Sequence, residues 1–381
     1  MMHTYLTPPL PEKFLSDTAA RYTREDPRMA YYVREPLEQR PALSSRRPTI
    51  NKFFLSTYTL TIYQGCEFGC PYCDGWVYDP HGFNRAVRVP TDLPQQLEHE
   101  LQQISRGDLI AITALSDPYQ PAEHSYRLTR QVLQVLADAG QPCLIMTKSP
   151  LILEDIPLLR RMNQTGLAIV MTTLITTDLT LATRLEGRAP LPALRLDLLA
   201  RLHQADIPTG VALVPLIPYV NDSDTSVRRL LHDCQQRGVD FAIWDYLYIP
   251  DRQHRHRVAE TLAHVGTFPS SYYRDLYGDG VAPHDRYRRE RDLALLRICD
   301  DLGLPAFAPH ALYAGKLDPR NEATLLLRHS ALRSQYLGQQ RMADLHHQLA
   351  DQVYAGGPIS PELRQSVLWP QLAPLLDPPA S

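Results

Sequence analysis

Between residues 57 and 250 the chain alternates six times between a short apolar run and a longer stretch with apolar residues every three or four positions. No other feature restricts the fold as much. Strand-period and helix-period hydrophobicity can be buried together only as a sheet layered with helices. Strands are predicted at 57–63, 108–115, 142–147, 167–174, 209–214 and 239–248. Helices are predicted over 91–105, 123–139, 191–205 and 224–237, with a shorter one carrying Ile152, Ile156 and Leu159. Gly140 ends the second helix. Short connections of this kind imply parallel strands, right-handed crossovers and helices outside the sheet. Periodicity leaves two outcomes open: a doubly wound sheet, or a sheet curling toward a barrel.

The loop after the first strand reads Gly65-Cys66-Glu67-Phe68-Gly69-Cys70-Pro71-Tyr72-Cys73-Asp74-Gly75. Three of the six cysteines fall here, spaced C-x3-C-x2-C. Thiolates clustered in a short loop select zinc or iron–sulfur, and the glycines let the backbone turn so that the sulfurs face one point. A structural zinc needs four ligands. No fourth cysteine lies nearby, and His81 and Asp74 are the only near substitutes. Zinc as a structural clip remains the alternative to a cluster.

The chain has 381 residues and a net charge of −3, so no general basic field draws it to nucleic acid. No apolar run reaches the ~18 residues of a membrane span, and Met1–Tyr5 has no signal-peptide core. The expected location is a reducing cytoplasm, where clustered cysteines bind metal rather than pair. Residues 1–55 read as an irregular arm, with a short helix near 12–22. Residues 251–310 read as an insertion and a closing helix, and 311–381 as a helical extension. The insertion carries Arg252-Gln253-His254-Arg255-His256-Arg257 and a second arginine cluster over 286–291.

The cysteine spacing, with an aromatic residue, Tyr72, before the last cysteine, resembles the radical SAM superfamily. Ser116-Asp117-Pro118-Tyr119-Gln120-Pro121, Leu185-Glu186-Gly187-Arg188-Ala189-Pro190 and Pro215-Leu216-Ile217-Pro218-Tyr219-Val220-Asn221-Asp222 are similar to segments of its spore photoproduct lyase-like subgroup. The resemblance implies a partial (β/α)6 barrel of the TIM type over 56–250, flanked by the arm and the helical extension. It implies a [4Fe–4S] cluster on Cys66, Cys70 and Cys73. The open iron would bind S-adenosylmethionine (SAM), whose reductive cleavage yields a 5′-deoxyadenosyl radical. A flavodoxin or ferredoxin would supply the electron.

Further roles follow residue by residue. Asp117, after the second strand, would meet the SAM amine, although an Asp-Pro turn explains it equally well. Lys148, after the third, would meet the carboxylate. Thr173, Glu186 and Arg188 would contact the ribose or carboxylate. The lyases return a hydrogen atom through a cysteine near the end of strand two, where this chain has Ala114-Leu115-Ser116. Tyr119 and Tyr246 are the candidate relays in its place. Cys143 falls at the opposite end of a strand, and Cys234 and Cys299 fall on helix faces. Substrate classes suggested by the resemblance are DNA carrying a photolesion and, less directly, peptides or methyl acceptors.

Overall fold

The computed structural model describes residues 30–37, 40–78, 83–112, 115–265 and 270–378. The helix expected near 12–22, together with His81 and Ala114, lies outside them.

Six parallel strands form one sheet in the order β2-β4-β5-β6-β7-β8. They are β2 (Tyr58–Leu60), β4 (Ile110–Ile112), β5 (Cys143–Thr147), β6 (Ala168–Thr173), β7 (Thr209–Leu216) and β8 (Phe241–Tyr246). Order along the sheet follows order along the chain, and β8 does not pair back onto β2. This is the partial barrel: mixed α/β, all parallel and open on one side. The helices on its outer side include α2 (Leu93–Leu101), α4 (Leu128–Ala139), α5 (Ile156–Thr165), α7 (Pro192–Gln204) and α8 (Asp224–Gln235), with the short α1 (Gly75–Tyr78), α3 (Ala122–Tyr126) and α6 (Leu179–Leu185) between them. Their ends obey local rules. Gly140 takes a left-handed φ of 67° after α4, and Ser223 accepts from the Ser226 N–H to start α8.

Alternation along the strands sorts two faces. Cys143, Ile145, Ala168 and Val170 pack under α2, α4 and α5 in one apolar cluster. Leu144, Ile169, Met171, Ala212, Phe241 and Ile243 form a second, with Ile50 and Leu55 from the N-terminal strap. That second set faces the lumen. Helices α12 (His310–Tyr313) and α13 (Pro319–Tyr336) add Tyr313 and Leu325 to it. The Asp318 N–H donates to the Gly107 carbonyl at 3.0 Å, and Asn321 donates to Asp108 at 2.8 Å. The helical extension therefore closes the barrel at the N-terminal ends of the strands and leaves the C-terminal ends free for chemistry. Helix α14 (Gln340–Tyr354) packs back on α13, and α15 (Pro361–Gln365) and α16 (Trp369–Leu376) finish the chain.

Three elements correct the sequence reading. Residues 31–35 are not irregular: β1 (Tyr31–Glu35) pairs in parallel with β3 (Ala86–Pro90), Tyr31 opposite Ala86, in a separate two-stranded sheet. The first barrel strand ends at Leu60 rather than 63, because Gln64 leaves the sheet to bridge Arg88. The 251–290 insertion is largely helical, as α9 (Arg252–Val265) and α10 (Ser270–Tyr277), before α11 (Asp285–Leu302).

Two histidines in the extension make stability depend on pH. Burial holds His329 down at about 4. Burial and then Arg328 do the same to His347, also at about 4. Between there and the ordinary value near ~6.5, the unfolded chain binds more protons than the folded one. The stabilisation is complete above ~6.5 and fades as pH falls toward 4, with a loss on the order of 3 kcal/mol from His329. Urea midpoints measured from pH 7 to pH 4 should show this fall, and it should be shallower in His329→Gln. A flat profile would refute it.

Candidate active site

The cysteine loop sits beyond the end of β2, at the free mouth of the barrel. Its path is set by close approaches. Gly65 has φ of 87°, and a Cβ there would lie 2.3 Å from the Ala86 carbonyl oxygen. Gly69 has φ of 54° against the Asn84 side chain. Neither position tolerates an L side chain without strain. The Cys66 N–H donates to the Phe83 carbonyl at 2.5 Å. The Glu67 N–H donates to Gln120 Oε1 at 2.8 Å, and Gln120 Nε2 donates to the Gly65 carbonyl at 3.1 Å. Glu67 Oε1 in turn accepts from the Ala122 N–H at 2.8 Å. The loop is thus clamped to the 117–122 segment after β4. On its far side, Trp76 Nε1 donates to the Cys70 carbonyl at 3.1 Å.

Cys66 and Cys70 are buried and Cys73 is half-buried. Burial and then the Asp117 carboxylate push the Cys66 thiol up to about 12. Burial and then Asp74 raise Cys73, which also feels Cys70 and Cys66. Each thiol of the trio therefore resists ionisation until a cation arrives, so binding a metal group must expel protons. Among the described residues, no three His, Cys, Asp or Glu side chains are grouped so as to hold a single metal ion.

Beside Cys70 lies a buried charge network. Glu186 Oε2 accepts from Arg195 Nη1 at 2.7 Å, and both side chains are 1% exposed. Glu186 Oε1 accepts from the Tyr72 hydroxyl and stands 3.9 Å from Lys148 Nζ. Burial alone would raise the Glu186 carboxyl, but Arg195 and Lys148 outweigh it and hold it below the usual range. Burial would lower Lys148, but Cys70 and Glu186 outweigh it and hold the ammonium above its ordinary value. Arg195 also donates to the carbonyls of Pro190 at 2.8 Å and Thr173 at 3.1 Å, which welds the β6 end to the 186–190 loop.

The sequence-predicted residues separate into groups. Lys148, Glu186 and the three cysteines come together. Asp117 is beside Cys66, but its carboxylate is already committed. It accepts from the Thr147 hydroxyl at 2.6 Å, the Lys148 N–H at 2.8 Å and the Tyr119 N–H at 2.9 Å. It therefore fixes the direction in which Lys148 leaves the strand. Thr173 follows Met171 on the lumen face, whereas Thr172 lies on the helix-facing side with its hydroxyl unpartnered. Arg188 is exposed and reaches the Asn84 carbonyl at 3.5 Å. Tyr119 packs in the helix-side cluster and donates to Asp155 at 2.8 Å. Tyr246 points from β8 toward α11 and donates to Asp292 at 2.6 Å. Neither tyrosine joins the Cys70 network. Asn221 and Asp222 tie their own loop: Asn221 Nδ2 donates to the Ile175 carbonyl at 2.9 Å, and Asp222 accepts from the Tyr219 N–H at 2.8 Å.

Arg195 was missed by sequence reasoning, although a signal existed. It stands on the apolar face of α7, three, four and seven positions before Leu198, Leu199 and Leu202. A guanidinium on a buried stripe requires an internal anion.

Comparison with known proteins agrees with this geometry. Residues 60–231 match the model of the Radical SAM superfamily. An uncharacterized protein of Mycobacterium tuberculosis is 28% identical over 250 residues, covering 59% of this chain and 73% of that protein. One from Acidianus two-tailed virus is 24% identical over 236 residues, covering 57% of this chain and 76% of its own length. The fold is that of spore photoproduct lyase complexed with dinucleoside spore photoproduct: TM-score 0.57, 12% identity, 72% of this chain and 81% of the other. A variant of that lyase with bound AdoMet and the same dinucleoside aligns at TM-score 0.56 with 13% identity, covering 72% of this chain and 81% of its own. Residues 60–231, with the thiol trio at the barrel mouth, therefore form a Radical SAM superfamily domain.

Proposed function

We propose that Cys66, Cys70 and Cys73 hold a [4Fe–4S] cluster and that SAM binds between it and the mouth of the barrel. The superfamily implies SAM and an iron–sulfur cluster; the cluster type and the contacts are the reading offered here. The observation that carries it is the charge network around Cys70. A closed zinc clip would need four donors at single-ion spacing, and a clip has no use for an ammonium beside one of its thiols. Lys148, aimed past Cys70 by Asp117, suits the SAM carboxylate. Thr173, on the lumen face, suits the ribose. Glu186 acts through others: it keeps Lys148 charged and holds Tyr72 against the cysteine loop, while Arg195 holds Glu186 ionised and in place. The apolar lumen wall around Met146 and Val214 keeps water from the reacting atoms. When bound, the cluster and SAM supply a reductive cleavage whose 5′-deoxyadenosyl radical takes a hydrogen atom from the substrate.

The test is anaerobic reconstitution, reduction and addition of SAM, with 5′-deoxyadenosine as the product sought. Its absence from a fully loaded, reduced protein would refute the proposal. Lys148→Ala should load the cluster normally but bind SAM about 10-fold or more weakly. This corresponds to the loss of one charge-assisted contact of ~1.5–3 kcal/mol, read by equilibrium binding of SAM. Unchanged affinity would remove Lys148 from the SAM site.

A flavodoxin or ferredoxin is the reductant class proposed. For the substrate, the likeness to a lyase bound to a dinucleoside photoproduct favours a photolesion in DNA. The arginine clusters give that idea little support. Arg291 pairs with Asp224 at 2.7 Å, Arg286 pairs with Glu290 at 3.1 Å, and Arg288 pairs with Asp285. Oligonucleotide binding that weakens steeply with added salt would support the DNA reading, and no binding at low salt would exclude it.

A further inference from the structure

Along β5, β6, β7 and β8 every residue is buried except Met146, Val214 and Asp245. Met146 and Val214 pack on the lumen cluster. Asp245 stands two residues after Ile243 of that cluster, so the pleat aims it into the lumen too. The three outline the part of the lumen that water reaches. It lies toward the mouth. Thr173 pairs with Ala212, and Ala212 with Ile243; Val214 and Asp245 follow that row by two residues.

The N-terminal strap brings a lysine to the same space. Asn51 Oδ1 accepts from the Phe53 and Phe54 N–H groups, each at 2.9 Å, and folds the strap into a tight turn against the lumen cluster. His329 Nε2 donates to the Lys52 carbonyl at 2.9 Å. Burial pulls the Lys52 ammonium below its ordinary value, and Asp245 is the largest influence against that. The lumen walls push the Asp245 carboxyl up, against its bond to the Tyr246 N–H, then Lys52 and Arg288. Yet the two charges close no ion pair. Asp245 Oδ1 accepts from the Tyr246 N–H at 2.8 Å, and Oδ2 accepts from none of the described residues. The Lys52 ammonium lies over the Phe53 ring at 5.2 Å. The neighbouring Asp292 is already taken by Trp244 Nε1 at 2.9 Å and the Tyr246 hydroxyl at 2.6 Å.

Opposite charges kept apart in a walled space are costly until a further group completes them. Sheet order says which group. The cysteine loop follows β2, Lys148 follows β5 and Thr173 ends β6, so the proposed SAM site takes that half of the mouth. β8 is the opposite edge, which leaves Asp245 and Lys52 to the substrate. A carboxylate only accepts and an ammonium only donates. Side by side they suit an edge that presents an N–H next to a carbonyl. A trans peptide points those two groups in opposite directions, whereas the imide edge of a pyrimidine presents them together.

We propose that Asp245 and Lys52 read the substrate, Asp245 accepting from the imide N–H of a pyrimidine and Lys52 donating to the adjacent carbonyl. This rests on the reading of the site as a SAM-cleaving centre acting on a photolesion. Recognition would then come from the base edge inside the lumen rather than from phosphates on the arginine clusters.

The test uses the full chain, reconstituted anaerobically and loaded with SAM. The probes are dinucleoside spore photoproduct and the same compound methylated at its imide nitrogens. Wild type should bind the unmethylated probe about tenfold or more tightly. Asp245→Asn keeps the side chain's size and its bond to the Tyr246 N–H but puts a donor where Oδ2 was, so the preference should vanish. Lys52→Met should weaken the unmethylated probe by a similar factor. Both variants should keep wild-type iron content and SAM affinity, which a misfolded protein would not. Equal affinity of wild type for the two probes, or binding of neither by the loaded protein, overturns the inference without recourse to any variant. A preference that survives in Asp245→Asn reflects the bulk of the methyl groups and overturns it as well. A chain that shows the preference but neither holds a cluster nor cleaves SAM defeats the parent reading instead.

Discussion

Replacing Cys70 by alanine is expected to abolish iron–sulfur absorption and reduce 5′-deoxyadenosine formation to the level of a control without enzyme. Cys70 is the member of the trio closest in electrostatic terms to Lys148, Glu186 and Arg195. It ties the metal group to the charges proposed to orient SAM. With two thiolates left, three corners of a cube cannot be held. Cys66→Ala and Cys73→Ala should behave alike. Cys143→Ala is the control, because Cys143 is buried on the helix-facing side of β5, at the opposite end of that strand from Lys148. It should keep the cluster and the product. Iron content, the visible spectrum and the chromatographic yield of 5′-deoxyadenosine decide the matter. A Cys70→Ala protein that still loads iron and cleaves SAM would end the cluster assignment.

Arg195→Met is the second large effect, this time on stability. The substitution leaves Glu186 buried with only the longer contact to Lys148 and the Tyr72 hydroxyl. Breaking a buried pair by removing one partner costs about 3–5 kcal/mol, whereas replacing both is often close to neutral. Arg195→Met should therefore lower the unfolding free energy by that amount, and Arg195→Met with Glu186→Leu should recover most of it. The sign with pH follows from the depressed Glu186 carboxyl. Its contribution is present above the ordinary carboxylate range and is lost as pH falls through the folded value. Arg195→Met should weaken that acid dependence. Denaturant titrations of the single and double variants test the pair directly. A single variant within about 1 kcal/mol of wild type, or a double variant no better than the single, would show that the pair does not matter as described.

Local features were readable in advance because their causes are local. Strand and helix periods announce themselves within a dozen residues, so the six βα units were legible from 57 to 250. Ligand spacing in the 66–73 loop needs only the loop itself. The β1–β3 pair was not legible. Tyr31–Glu35 is short and follows a proline- and charge-rich arm, and its partner lies some fifty residues on, beyond the first barrel strand and the cysteine loop. Tyr119 and Tyr246 show the same limit. Tyr246 ends β8, where one step of register moves a side chain from the lumen to the helices, and Tyr119 lies in the turn segment between β4 and α3, whose path no strand period fixes.

The amino-acid sequence by itself determined that parallel strands would be layered with helices and that three thiols would gather at one strand end, because both follow from patterns confined to neighbouring residues. Tertiary structure alone decided that Glu186 and Arg195 neutralise each other beside Cys70, and that Lys52 and Asp245 share the lumen. Those arrangements join segments more than a hundred residues apart. The physical reason is burial. Which charges lose their water, and what replaces it, is settled only when distant parts of the chain pack together.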